Sequence, residues 1–254
     1  MISIVMAYYN RISLLRFTLK TFLLSNASDY EIIIVDDFSD SAHDPNLLKD
    51  EFPTLPIRII KMSDLGEKTW CNPCIPYNVG FRASVGDKII IQNPECCHLG
   101  DVISYTSENL TDENYLSYHC YACKESDLDI LHNGGIIDMP NEKDEWFWSG
   151  WYNHKEYRPA SFHFTTAITR NNLKKLNGFD ERFAHGIGYD DNEFIIRVKR
   201  LGLKIDYVED PMVVHQFHAK INSFTPDKLN NETFYKETKG NKSLIRVENQ
   251  ANIV

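Results

Sequence analysis

No stretch of this 254-residue chain is apolar for long enough to span a bilayer. The first apolar run, Ile2-Ser3-Ile4-Val5-Met6, gives way at once to Tyr9-Asn10-Arg11. That is too short for the core of a secretory signal, which sets the expectation of a cytoplasmic protein. Positive charge is scarce as well: 27 Lys and Arg stand against 36 Asp and Glu, a formal net charge of -9. Nucleic acids and anionic membranes are held by clustered Lys and Arg, so neither is an expected partner, and a phosphate group bound here would call for a metal ion. Glycine is missing where phosphate-binding loops need it, since Ala7-Tyr8-Tyr9-Asn10-Arg11 contains none and no Gly-x-Gly-x-x-Gly follows the first apolar run. A dinucleotide fingerprint is thereby excluded. The six cysteines fall as Cys71/Cys74, Cys96/Cys97 and Cys120/Cys123. The two Cys-x-x-Cys pairs lie too far apart for a zinc ribbon, and a reducing compartment disfavours structural disulfides. Cys120 and Cys123 belong to an aromatic strand pattern in which free thiols act as small apolar fillers.

What the chain does have is an unbroken β-branched run, Tyr30-Glu31-Ile32-Ile33-Ile34-Val35, ending in Asp36-Asp37-Phe38-Ser39-Asp40. An apolar run of strand length without polar alternation predicts a parallel strand covered on both faces, and ligands gather beyond the carboxyl ends of such strands. The acids there also suit an Asx-type turn. Ile2 to Ala7 predicts a second such strand, and Leu15, Leu19, Phe22 and Leu23 share one face of the helix between the two, making a right-handed βαβ unit. Asp44 to Phe52 predicts a short helix, Ile57 to Ile60 a third strand, and Pro73 the first turn of another helix. Lys88-Ile89-Ile90-Ile91-Gln92 is a fourth strand, ending in Asn93-Pro94-Glu95 with His98 close behind. Alone, Asn93-Pro94-Glu95 reads equally as a proline turn with a solvated acid.

Leu99 to Leu110 predicts a helix, Ser161 to Ile168 a strand and Arg170 to Leu176 a short helix. Asp138 to Pro159 is a long loop rich in turn formers and aromatics, among them Trp146, Trp148 and Trp151. It either roofs the core or offers flat indole faces for stacking on sugar rings, as an acceptor or donor lid. From Asp190 a helix is predicted, with Phe194, Ile195, Val198 and Leu201 in one apolar stripe. Asp190 with Glu193 matches a capping box, which leaves Asp191 over in the first turn. Val213-Val214-His215 reads as a strand end with His218 a turn beyond, and the two histidines with Glu95 can complete a site for a hard cation.

Taken together, Ile2 to Ala7 leading to Tyr9-Asn10, the Ile34 to Asp40 stretch, Asn78-Val79-Gly80 with Gly86-Asp87, and the acid-ended strand at Glu95 resemble the nucleotide-sugar half of family 2 glycosyltransferases with the GT-A fold. Asn177-Gly178-Phe179-Asp180 and Gly188-Tyr189-Asp190-Asp191-Asn192-Glu193-Phe194 are similar to the acceptor half of the same enzymes and of galactosyltransferases. The resemblance runs from Ile2 to about His218 and departs from the pattern at the Asp-x-Asp metal motif, where Asn93-Pro94-Glu95 stands. It implies an α/β fold, a Rossmann-like, mainly parallel sheet flanked by helices with a smaller antiparallel acceptor region. One domain over 1–222 would hold a nucleotide-sugar half (1–98) and an acceptor half (99–222), with 223–254 a polar tail.

The activity it implies is transfer of a sugar, from a UDP-sugar by preference, to a hydroxyl of a glycan or glycoconjugate, with inversion and with Mn²⁺ or Mg²⁺. On this resemblance Ala7, Tyr8, Asn10, Asp36, Asp37 and Asn78 contact the nucleotide, Asp36 by accepting from the base. Glu95 with His215 or His218 holds the metal, and Asp191 is the general base with Asp190 its competitor. Two rivals stay open: a sugar-nucleotide nucleotidyltransferase, which would need a glycine-rich loop after the first strand, and a nucleotide- or carbohydrate-binding protein weakened in catalysis.

Overall fold

The computed structural model describes residues 1–139, 150–219 and 228–253. In chain order the elements are β1 (Ile2–Tyr8), α1 (Ile12–Phe22), β2 (Tyr30–Asp36), β3 (Ile57–Lys61), α2 (Cys74–Ala83), β4 (Lys88–Gln92), β5 (Cys96–Leu99) and α3 (Val102–Asn109). There follow β6 (Asn114–Ala122), α4 (Leu128–His132), β7 (Trp151–Asn153), β8 (Thr165–Thr169), α5 (Arg170–Leu176), α6 (Asp190–Arg200), β9 (Lys204–His215) and α7 (Lys228–Gly240).

The described strands join one sheet in the order β3-β2-β1-β4-β8-β6-β9-β5, with β7 beside β6. The first four are parallel, as their continuous apolar sequences require, and the residues from Ile32 to Val35 and from Ile89 to Ile91 have no exposure. β8 then runs antiparallel to β4, and β5 antiparallel to β9, while β6 and β9 are parallel to each other. Two cores flank the sheet. One gathers Ile2, Ile4, Met6 and Tyr8 of β1 with Leu15, Leu19 and Phe22 of α1; the other gathers Val5 with Tyr77 and Phe81 of α2 and Phe179 and Phe194 of the second half. Alternate residues of β1 therefore serve opposite layers. Gly80 lets α2 lie on β1, because a Cβ there would collide with Val5.

Several expectations need correction. The helix foreseen between Asp44 and Phe52 is reduced to one short 3-10 turn, Pro45–Leu48, capped by the Asp44 side chain and preceded by another at Ser41–His43. The boundary foreseen at 98/99 falls inside β5, which the sequence reading missed and which pairs with β9 from the far half, so the two halves share one sheet. Within the polar tail, the described residues 228–253 lie against the domain: α7 packs on α6, Arg200 donates to the carbonyls of Thr238 and Leu244, and Ile253 is buried in the same core cluster as Phe179. The polar composition hid the helix because few of its side chains anchor it, among them Phe234 on Phe183 and Tyr235 on Tyr189. Among the described residues no helix is long and apolar enough to cross a membrane.

Candidate active site

Because β1, β2 and β4 are parallel, their carboxyl ends lie along one edge, bringing Tyr8, Asp36 and Gln92 together with the loops that follow. β8 is antiparallel and its first residue, Thr165, pairs with Gln92, so the segment preceding it, including His163, is delivered to that same edge. The pairing of Cys96 with His215 brings the end of β9 there as well. Of the described non-glycine residues with positive φ, Asn10, Phe38, Ser161 and Tyr189 all sit on loops of this edge. Left-handed backbone at such residues costs energy and persists where the surroundings enforce it, as they do at functional sites.

Behind β1 and β2, Asn10 exchanges hydrogen bonds with Asp40 (3.0 and 2.8 Å) and its backbone N–H donates to Ser39 Oγ, pinning the two loops together. Asp36 is buried and accepts from Ser39 N through Oδ1 at 3.2 Å, leaving Oδ2 without a partner among the described residues. Asp37 receives Lys68 Nζ at 2.8 Å and Trp70 Nε1 at 2.9 Å, and burial raises its pKa in spite of Lys68. The Tyr8 side chain is fully buried, donates to the His43 carbonyl and accepts from Arg11 N at 3.2 Å, while its own carbonyl accepts Asp37 N at 2.8 Å. Asn78 is placed otherwise than expected: it is fully buried, and its amide bridges Phe179 N, Phe179 O and Glu181. Its polar atoms fasten α2 to the Asn177-Gly178-Phe179 turn.

The second group centres on Glu95. Its Oε1 takes Arg11 Nη1 at 2.5 Å, His215 Nε2 at 3.2 Å and His218 Nε2 at 3.5 Å. Its Oε2 is buried with no hydrogen-bond partner. Burial alone would raise this carboxyl's pKa, but hydrogen bonds from the two histidines and the Arg11 charge hold it well below the usual range. One carboxylate and two imidazoles whose donor atoms lie within 4.8 Å of one another fit a divalent cation, and the partnerless Oε2 is the oxygen such an ion would satisfy. Arg11 was not foreseen here; no local signal ties it to a residue 84 positions away.

The third group is at the start of α6. No capping box forms: the residue before the helix is Tyr189 with φ 68°, and Glu193 turns inward to a buried bidentate pair with Arg197. Asp190 is buried, accepts from Asn72 Nδ2 at 3.0 Å, and has its pKa raised to about 6 by burial and then by the Asp191 charge. Asp191 Oδ1 contacts His163 Nδ1 and accepts His163 N at 3.2 Å, and its side chain is 24% exposed. Neither Asn72 nor His163 was among the expected site residues, although His163 lay on a segment read as strand with a polar alternation.

Glu95 follows β4, and His163, which contacts Asp191, precedes β8, paired with β4 at Gln92 and Thr165, so the second and third groups lie at one sheet edge. Trp151, foreseen as an exposed lid residue, is 6% exposed and packs against Tyr121, His154 and Tyr157. Pairing of β7 with β6 draws it into the core, where its face is not available for stacking. Trp146 and Trp148 lie outside the described residues. All six cysteines are free thiols, five of them buried, in keeping with filler roles.

Comparison with known proteins agrees with this arrangement. Chondroitin synthase of Escherichia coli is 26% identical over 245 residues, covering 85% of this chain and 34% of that protein, so the chain spans about a third of its curated relative. The structure of S. aureus TarS 1-349 in complex with UDP-GlcNAc superposes with a TM-score of 0.70 at 13% identity, over 96% of this chain and 67% of that one. GalNAc-T7 with UDP, GalNAc and Mn²⁺ gives a TM-score of 0.64 at 15% identity, over 94% and 49%. These likenesses establish the GT-A fold. Residues 153–220 match the N-terminal domain of galactosyltransferase, and residues 3–171, well over half of the chain, match Glycosyl transferase family 2. The chain belongs to glycosyltransferase family 2.

Proposed function

We propose that this chain transfers a sugar from a nucleotide-sugar, a UDP-sugar by preference, to a hydroxyl of a glycan acceptor, inverting the anomeric centre with the help of Mn²⁺ or Mg²⁺. The observation that carries the reading is the juxtaposition, at one sheet edge, of two unlike acid sites. Glu95 is held ionised beside Arg11 and two imidazoles with one oxygen unsatisfied, and Asp191 is the accessible member of a carboxylate pair. The first suits a metal–diphosphate; the second suits a proton acceptor on the other side of the reacting carbon.

In this reading the unpaired Asp36 Oδ2 accepts from the nucleobase, whose imide N–H in uracil is a matching donor. The bound UDP and UDP-GlcNAc of the structural relatives support that choice of donor. Glu95, His215 and His218 would hold the cation, which supplies positive charge against the departing nucleoside diphosphate. As the acceptor oxygen bonds to the anomeric carbon, its proton passes to Asp191 Oδ2, and the bond from that carbon to the diphosphate oxygen breaks with its electron pair on the diphosphate. Asp190, buried and bonded to Asn72, is less accessible to an acceptor hydroxyl.

The test is a panel of nucleotide-sugars scored for thermal stabilisation and for release of nucleoside diphosphate, with Mn²⁺ and after chelation, followed by NMR of the product's anomeric configuration. Metal-dependent turnover with inversion supports the proposal. Nucleotide binding without any turnover would favour a binding module, and full activity after chelation would remove the metal from the mechanism.

A further inference from the structure

We propose that His163 is a positioning residue that fixes Asp191 Oδ1 from two directions and thereby presents Oδ2 as the one basic oxygen aimed at the acceptor hydroxyl. The inference rests on Asp191 being the base. Two nitrogens of one residue converge on one carboxylate oxygen: the backbone N–H, hydrogen-bonded at 3.2 Å, and the ring Nδ1, in direct contact as an ion-pair partner though not aligned as a hydrogen bond. Oδ2 has no partner among the described residues. The imidazole cannot swing aside, because its ring is 9% exposed and edge-on to Tyr77 and Phe179, with centroids 5.1 and 5.0 Å away. Both neighbours are themselves buried, so the position of Nδ1 is inherited from the core.

A carboxylate at the start of a helix, one quarter exposed, would otherwise be free to rotate about χ2 and to share its proton affinity between two oxygens. Locking one oxygen orients the lone pairs of the other, and orientation within a few tenths of an ångström is what a positioned base requires. Charge matters too. Burial opposes protonation of His163, but the charge of Asp191, its hydrogen bond, and the charges of Asp190 and Glu95 raise its pKa overall. In its protonated form the ring compensates the repulsion between the two adjacent carboxylates. Asp191 acts electrostatically on His163, Asp190, Tyr77, Tyr115 and Arg158, and His163 is in direct polar contact with it. In the transfer step His163 neither gains nor loses a proton; the acceptor's proton ends on Asp191 Oδ2 as written above.

A histidine wedged between aromatic rings also serves as packing, and the experiment separates the two roles. His163→Phe keeps ring volume and removes the donor, whereas His163→Asn puts an amide N–H close to where Nδ1 lies. For a positioning role, His163→Phe lowers kcat on the order of tenfold to a hundredfold with donor KM nearly unchanged, and His163→Asn recovers most of it. Loss of the adjacent donor and charge also moves the acid limb of the His163→Phe rate profile up by roughly one pH unit. Equal loss in both variants, or a loss with an unshifted pH profile that follows the drop in melting temperature, overturns the proposal. Asp191→Asn run alongside keeps the two readings apart. If it is as fast as the parent, the base assignment falls; if it is slow while His163→Phe is unimpaired, only the role of His163 falls.

Discussion

Glu193 and Arg197, one turn apart on α6, form a bidentate ion pair at 2.6 and 2.7 Å in which neither side chain has any exposure. Arg197 spends its remaining donors on the carbonyls of Leu176 and Gly178, 2.9 Å each. The pair therefore ties the helix that carries Asp190 and Asp191 to the turn that Asn78 grips from the other side. Removing one partner strands a buried charge. Arg197→Met should destabilise the fold by about 3–5 kcal/mol, while replacing both partners with apolar residues should recover part of that loss. Urea midpoints of the single and double variants measure it.

Asp191→Asn preserves shape and removes the proton acceptor. We expect kcat to fall on the order of a hundredfold or more, with affinity for the nucleotide-sugar retained. The corresponding Asp190 variant should lose far less, since Asn72 can donate to an amide oxygen as well as to a carboxylate. Steady-state kinetics with direct binding titrations check both; a reversed order of effects would exchange the two assignments.

Glu95→Gln leaves His215 and His218 in place but removes the charge they surround. Nucleotide binding in the presence of Mn²⁺ should drop to the level seen after chelation, and metal should no longer enhance it. Calorimetric titration of UDP with and without Mn²⁺ is the measurement. Because the two histidines and the Arg11 charge more than offset the burial of the ionised carboxylate, the same variant should also be less stable at neutral pH than the parent.

Asp190 makes the opposite prediction. Its pKa is raised from 3.8 to about 6 by burial first and the Asp191 charge second, so the folded chain holds this proton more tightly than the unfolded chain does. The stabilisation it contributes is complete below about pH 4 and is lost as pH rises through about 6. Asp190→Asn cannot ionise. It should melt above the parent at pH 7, with the gap closing as pH falls through that window, as thermal melts across pH will register.

Asn78→Ala separates packing from nucleotide contact. With three hydrogen bonds to the Phe179 and Glu181 turn lost, stability should drop by about 1–3 kcal/mol while UDP affinity changes little in the folded fraction. A selective loss of UDP affinity at full stability would restore the nucleotide role.

The sequence by itself determined the parallel half of this protein and the chemistry at its edge. Continuous β-branched runs can be satisfied only by burial on both faces, so β1, β2 and β4 and their acidic ends at Asp36 and Glu95 were legible from Ile2, Ile32 and Ile89 onward. The stripe of α6 was legible for the same reason, since periodicity is a local property. Tertiary structure decided whatever depended on distant partners. Glu193 looked like a capping acid until Arg197 and the turn carbonyls claimed it, and Trp151 looked like an exposed platform until β7 paired with β6. Asn78 matched the nucleotide-sugar pattern yet closes a turn about a hundred residues on. Arg11 meets Glu95 because β1 and β4 are parallel neighbours whose carboxyl ends share an edge, and His163 meets Asp191 there because β8, antiparallel to β4, starts at that same edge. Composition and spacing say which side chains can carry charge or metal; the register of the sheet fixes which of them stand close enough to act together.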